Sequence, residues 1–200
     1  MCCGKCAKCL GTILIPLAVL CTIANILLFF PGGTIQDSAN ISDEVWYFGG
    51  ILGSGLLMLF PALVFLGLNN NDCCGCCGNE SCGKRFAMFS SIIFAAVGIL
   101  GAAYNIVVAS LGVHKGPKCL TYEENNTWSY PFNHGDYLDD KTLWELCKGP
   151  ESIVTWNLTL FSLLMIMGCA QAVLCLFQVI NGLFGAICGD HKCCEGNGAV

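Results

Sequence analysis

Residues 86–113 read FAMFSSIIFAAVGILGAAYNIVVASLGV and contain no charged side chain. As an α-helix this stretch would be about 42 Å long, which exceeds the roughly 30 Å of a bilayer's hydrocarbon core. Three further stretches, 10–30, 45–68 and 157–189, are also uncharged. A soluble domain of this size would carry charges on the exposed face of every helix. The sequence therefore predicts an all-α membrane fold, a bundle of four transmembrane helices.

The residues between the spans are too few for a second domain. The longest segment covers 114–156, and a module of that size has little core of its own and usually needs a cross-link. We therefore expect one four-pass membrane domain over residues 1–200, with no attached enzyme domain and no catalytic activity. Bound cofactors, metals and nucleic acids are not expected either.

The distribution of cations predicts the orientation. Four spans place both termini and the loop 69–85 on one face. That face holds five cations, against four on the longer opposite face. Because Lys and Arg are enriched on the cytoplasmic side, we expect cytoplasmic termini and an extracellular large loop at 114–156.

Most of the 17 cysteines lie near the predicted cytoplasmic face. Since the cytoplasm is reducing, they do not suggest a disulfide framework. Juxtamembrane cysteines are the usual sites of S-palmitoylation, and each chain adds about 0.8 kcal/mol per buried CH₂. Metal binding and unmodified thiols remain as alternatives, because CxxC-like spacing can ligate zinc or iron–sulfur clusters. The predicted acylation sites are Cys2, Cys3, Cys6, Cys9, Cys73, Cys74, Cys76 and Cys77.

The large loop contains two cysteines, Cys119 and Cys147. They face the oxidising side and have no other nearby partner, so we expect a disulfide between them. Closing that loop would stabilise the fold by about 3–4 kcal/mol.

Sequons for N-glycosylation add a second test of the orientation. Asn125, in the middle of the large loop, is the best acceptor, and Asn157 abuts the last span. Asn40 lies in a short loop on the same face. Asn79 lies on the predicted cytoplasmic face and should stay unmodified.

The large loop is also rich in aromatic side chains. They either pack in its small core and against the helix ends, or form an exposed anchor for a partner. Trp128 and Trp144 are the candidate partner-binding residues. The stretch 139–147 could form a short helix capped by Asp139 or Asp140.

Polar residues inside the spans carry no charge. We expect them to form hydrogen bonds between helices, helped by small residues four apart that allow close approach. Pro61 is expected to bend the second helix. The polar residues concerned are Asn25, Asn105, Gln171, Gln178 and Asn181.

The layout is similar to that of a tetraspanin, but both Cys-Cys-Gly copies lie in the loop 69–85 rather than in the large loop. The chain instead resembles the transmembrane 4 L-six family, whose members have tetraspanin-like topology. The matching stretches are MCCGKCAKCL at 1–10, ANILLFFPGG at 24–33, NDCCGCCGNE at 71–80 and GPKC at 116–119.

This resemblance implies a palmitoylated, N-glycosylated plasma-membrane protein that is not an enzyme. It would associate in cis with receptors, adhesion molecules or tetraspanin-like proteins, or with further copies of itself, and influence cell proliferation and adhesion. The alternative is a claudin-like junction or channel subunit. Claudins place their large, cysteine-containing loop after the first span, where this chain has 14 residues and no cysteine.

Overall fold

The computed structural model describes residues 3–68, 80–121, 127–132 and 136–188, and the side chains of all of these except 3–5, 80–85 and 188. In this part of the chain, four helical segments are long and apolar enough to cross a bilayer. They are Cys6–Leu28, Asp43–Gly67, Phe86–Lys115 and Ile153–Ile187. The prediction of a four-pass membrane bundle is therefore confirmed.

Three of the spans belong to continuous α-helices, and the second does not. Helix α1 covers Cys3–Leu28, α3 covers Glu80–Lys115 and α4 covers Ile153–Cys188. The second span begins with a 3₁₀ turn at Asp43–Tyr47, continues as a π-helix at Gly49–Leu56, and becomes α-helical in α2, Leu57–Gly67.

The irregular part of the second span precedes Pro61, the residue expected to bend it. Phe48 adopts a left-handed backbone conformation with φ 50°, and the π-helix, which we call the π-segment, starts directly after it. Four of the eight residues of the π-segment are glycines, which weaken the preference for regular α-helix. Pro61 lies inside α2 and is buried.

The glycines allow close contact between backbones. A Cβ atom added at Gly53 would lie 2.5 Å from the carbonyl oxygen of Gly101 on α3, and one added at Gly101 would lie 2.6 Å from that of Gly53. The predicted close approach through small residues is therefore present, although this contact joins α3 to the π-segment. The most extensive helix pair is α3 with α4, and α1 packs against α4, α2 and the π-segment.

The interior of the bundle contains the polar residues that the sequence singled out. Asn105 Nδ2 donates to the Leu164 carbonyl at 2.8 Å, and Gln178 Nε2 donates to Ser91 Oγ at 3.2 Å. The backbone N–H of Ile51 donates to Asn25 Oδ1 at 3.1 Å. These bonds join different spans, so the predicted hydrogen bonding between helices is confirmed.

The loop between α3 and α4 adds a small antiparallel sheet, which the all-α prediction did not contain. Strand β1 (Cys119–Thr121) lies between β2 (Trp128–Ser129) and β3 (Cys147–Gly149). Short 3₁₀ helices occupy Asp136–Leu138 and Lys141–Leu146. Asp140 caps the second of these by accepting from the Thr142 backbone N–H at 2.9 Å, as predicted.

Candidate functional site

The described residues of 116–152 form a compact unit that we call the loop module. The predicted disulfide between Cys119 and Cys147 is present, with their Cα atoms 5.5 Å apart. It joins β1 to β3, the strands nearest in sequence to α3 and α4. The module is thus attached to both helices by short connections and closed by a covalent bond.

An aromatic pair forms the core of the module. The rings of Phe132 and Tyr137 lie 4.6 Å apart, and both side chains are buried against the start of α4 at Ile153. The Tyr137 hydroxyl donates to the Val113 carbonyl near the end of α3. Gly116 has a positive φ of 75°, and a Cβ atom there would lie 2.9 Å from the Phe132 ring. Burial raises the pKa of Tyr137 to about 12.

The two candidate anchor residues differ in how firmly the module holds them. The Trp144 indole N–H donates to the Tyr137 carbonyl at 2.7 Å, and its half-buried ring packs against the module's core. Trp128 is half-buried on β2, an edge strand of the sheet. Trp144 therefore has a structural role in the loop module, and Trp128 stays a predicted partner-binding residue.

Among the described residues of the loop module, two leucines form the exposed apolar surface. Leu138 is 45% exposed and Leu146 44% exposed, and they belong to the two 3₁₀ helices, which contact each other. Leu146 was not singled out from the sequence. An apolar residue next to a half-cystine was its only signal, and that signal is weak.

A salt bridge fastens the loop after α1 to the end of α3. Lys115 Nζ lies 2.9 Å from Glu44 Oε1 and 3.4 Å from Asp43 Oδ2. It also sits 3.9 Å from the centre of the Tyr130 ring, whose hydroxyl accepts a hydrogen bond from the Asp43 backbone N–H at 2.8 Å. Burial is the main cause that raises the pKa of Tyr130. We call these four residues the clasp.

Lys118 makes a second connection between the same segments. Its backbone N–H donates to Ser42 Oγ at 3.0 Å, and its Nζ donates to the Ala39 carbonyl at 2.6 Å. Together with the clasp, these bonds make the loop after α1 and the loop module one continuous surface at one end of the bundle. Sequence reasoning missed this. The available signal was an acidic pair and two lysines at the same end of adjacent spans.

The predicted modification sites are only partly within the described residues. Cys6 and Cys9 are exposed on the first turns of α1, where an acyl chain could be attached. Cys3 lies in α1 without a described side chain, and Cys2, Cys73, Cys74, Cys76 and Cys77 lie outside the described residues, as does Asn125. Asn157 is 5% exposed inside α4, and its glycosylation, like that of Asn125, stays a prediction.

Comparison with known proteins identifies relatives along almost the whole chain. The model of the L6 membrane protein family matches residues 1–192. Transmembrane 4 L6 family member 4 of Rattus norvegicus is 66% identical over 194 residues, covering 96% of this chain and 95% of the relative. The Homo sapiens member 4 is 63% identical with the same coverage.

A second branch of relatives is more distant. Transmembrane 4 L6 family member 1 of Homo sapiens is 51% identical over 199 residues, covering 98% of this chain and 96% of the relative. No solved structure matches the chain. The similarity to this family that the sequence motifs indicated is thus confirmed, and its member 4 is among the relatives found.

Proposed function

Because the chain belongs to the L6 membrane protein family, we propose that it is a non-enzymatic organiser that associates in cis with other membrane proteins. Its partners would be receptors, adhesion molecules, tetraspanin-like proteins or further copies of itself. Through them it would influence cell proliferation and adhesion at the plasma membrane. Both termini would be cytoplasmic, and the loop module extracellular.

One observation carries this proposal. Two loops that are far apart in sequence are fixed into a single surface by the clasp and by Lys118. A surface that is ordered before binding loses little conformational entropy when a partner docks. Leu138 and Leu146 expose apolar area on it, and Trp128 and Trp144 are each partly accessible. A few such residues usually supply most of an interface's free energy.

The charge of the surface adds selectivity. Its loops hold ten acidic residues, three before Val45 and seven in 114–156, against four lysines. Complementary charge favours specificity and association rate more than affinity, so basic partner surfaces are preferred.

The opposite end of the bundle would hold the lipid attachments. Acylation of Cys6 and Cys9, together with the remaining cysteines of both clusters, would fix that face to the bilayer and favour clustering with other acylated proteins. Asn125 would carry a glycan, which would limit the approach of partners to the rest of the module.

The test of partner selection is a pair of acidic substitutions in the module. Leu138→Asp with Leu146→Asp should reduce recovery of the co-purifying membrane proteins at least fivefold, while delivery to the cell surface persists. Leu138→Met with Leu146→Met is the matched control, because it alters the same two exposed positions and keeps them apolar. It should leave the partners bound.

An unchanged partner list after the double substitution would show that the module is not the selector. Purified protein that conducts ions in a planar bilayer would contradict the organiser function itself. If Asn125→Gln leaves the electrophoretic mobility of the protein unchanged, or if a glycan is found at Asn79, the proposed orientation is contradicted. Hydroxylamine-sensitive acyl label that survives replacement of all eight predicted cysteines would contradict their assignment.

A further inference from the structure

Three polar atoms in the interior of the bundle have no nitrogen or oxygen hydrogen-bond partner. They are Ser54 Oγ, Asn105 Oδ1 and Gln171 Oε1, and all three side chains are 0% exposed. Among the described residues, the only other buried polar atom in this condition is Glu44 Oε2, at the clasp. An unpaired polar group in an apolar interior costs considerable free energy, so a group of three calls for a physical explanation.

The contacts of these side chains place all three residues at the junction of the π-segment, α3 and α4. Gln171 Nε2 donates to the Ser54 carbonyl at 3.0 Å, which joins α4 to the π-segment. Asn105 lies between the same two elements. A Cβ atom at Gly49 would be 3.4 Å from its Oδ1, and one at Gly168 would be 2.8 Å from its Nδ2. Gly53, directly before Ser54, packs against the Asn105 backbone.

The hydrogen-bonding capacity of the three atoms matches one water molecule. The two amide oxygens can only accept. Their amide nitrogens donate to the Leu164 and Ser54 carbonyls. The Ser54 hydroxyl can donate. A water molecule donates two hydrogen bonds and accepts up to two, so it can donate to both amides and accept from the hydroxyl. The Cys21 thiol interacts with the same hydroxyl, but a thiol is a weak hydrogen-bond group.

We propose that a single buried water molecule binds between the π-segment, α3 and α4, held by Ser54, Asn105 and Gln171. The π-segment approaches Asn105 closely at Gly49 and Gly53, and insertion of water is one recognised reason for a helix to depart from α-geometry. A metal cation fits less well. The three ligands are neutral and include no carboxylate, so its charge would stay uncompensated in an apolar surrounding.

A direct test uses the full-length protein in liposomes and proton-detected solid-state NMR with transfer of magnetisation from water. The side-chain amides of Asn105 and Gln171 should receive water magnetisation despite lying in the middle of their spans. Gln178 is the internal control. It is equally buried, but its Nε2 donates to Ser91 and its Oε1 accepts from Asn181, so it should stay dark. If the side-chain amides of Asn105 and Gln171 receive as little magnetisation from water as that of Gln178, the proposal is overturned.

The substitution Ser54→Ala is an independent test, because the change in Tm differs between a hydroxyl that binds water and one that is unpaired. If the Ser54 hydroxyl bonds to water, Ser54→Ala lowers the Tm in detergent by about 2–4 °C. If the hydroxyl is truly unpaired, its removal leaves the Tm unchanged or raises it, which contradicts the proposal. Ser110→Ala is the control, because the Ser110 hydroxyl donates within its own helix to the Ile106 carbonyl at 2.7 Å. Should Ser54→Ala fail to fold, the NMR result on the unaltered protein decides alone.

Discussion

The loop module and the bundle place polar and apolar side chains in opposite ways. In the module, Phe132 and Tyr137 are buried, and charged groups face outward. In the bundle, Asn105 and Gln171 are fully buried, while Leu100 is 70% exposed. The difference follows from the solvent of each region, since lipid rewards exposed apolar groups and water rewards exposed polar ones. Consequently the module depends on a cross-link and a few specific bonds, and the bundle on close backbone approach.

The largest effect is expected from removing the disulfide, which should destabilise the loop module and leave the bundle intact. Replacing Cys119 and Cys147 together by Ser should destabilise the loop module by about 3–4 kcal/mol, because the unfolded loop regains its freedom. The bundle should keep its helices. Circular dichroism should therefore change little, while limited proteolysis should cut the module rapidly. Equal resistance of both proteins to protease would contradict this separation.

The second prediction breaks the bundle and spares the module. Gly101→Ala places a Cβ atom 2.6 Å from the Gly53 carbonyl oxygen, so the two backbones must move apart. We expect a loss of about 1–3 kcal/mol in detergent unfolding.

Gly185→Ala is the control for that change. Its new Cβ would meet only the flexible side chain of Met88, at 3.2 Å or more, and should be tolerated. Equal stability losses for the two variants would mean that the contact between the π-segment and α3 is not special.

The third prediction concerns the junction between the regions. Lys115→Met leaves Glu44, whose side chain is only 6% exposed, without its cation. We expect a loss of about 1–2 kcal/mol, below the cost for fully buried pairs because Lys115 is 40% exposed. Adding Glu44→Gln should recover most of the loss in thermal unfolding. No recovery in the double variant would show that the two side chains are not coupled.

The smallest effect at neutral pH is expected for Tyr137, which also makes the stability of the module depend on pH. Tyr137 has a pKa of about 12 when folded and about 10 when unfolded. Since the folded form holds its proton more tightly, this contribution is complete below pH 10 and is lost as pH rises to about 12. Tyr137→Phe should lower the stability of the module by about 1 kcal/mol at neutral pH. It should also reduce the decrease in stability at high pH, leaving only the part that Tyr130 contributes. Module opening against pH, followed by tyrosinate absorbance, measures this. An equally steep alkaline loss in the variant would contradict it.

The distribution of charged residues and cysteines along the chain made the main architecture predictable. Uncharged runs located the four spans, because charge is excluded from a lipid-facing helix, and the two cysteines of the large loop located the disulfide. The polar residues Asn105, Gln171 and Gln178 stood out in the same way, because a polar group in an apolar run needs a partner.

Three features could not be read from the sequence, for separate reasons. Strands of two or three residues are too short to show an alternating pattern, so β1 to β3 gave no signal. The π-segment depends on packing of its glycines against α1 and α3, and local preference favoured plain helix. The clasp requires the rotation of each helix about its axis, and this determines whether Lys115 points to Glu44. For the same reason, Trp144 and Leu146 could not be sorted into buried and exposed.

The position of the disulfide has a mechanical consequence for the two longest helices. Helices α3 and α4 have 36 residues each, and the bond joins residues only four positions beyond Lys115 and six before Ile153. The covalent bond therefore keeps α3 and α4 close together at the end of the bundle next to the loop module. If the two helices separate, the distance between them increases toward the ends that lie away from the disulfide. A relative tilt of about 10° over a helix length of about 54 Å displaces those ends by about 9 Å. Any separation of these two helices is therefore larger at the end of the bundle where Cys6 and Cys9 lie than at the loop module.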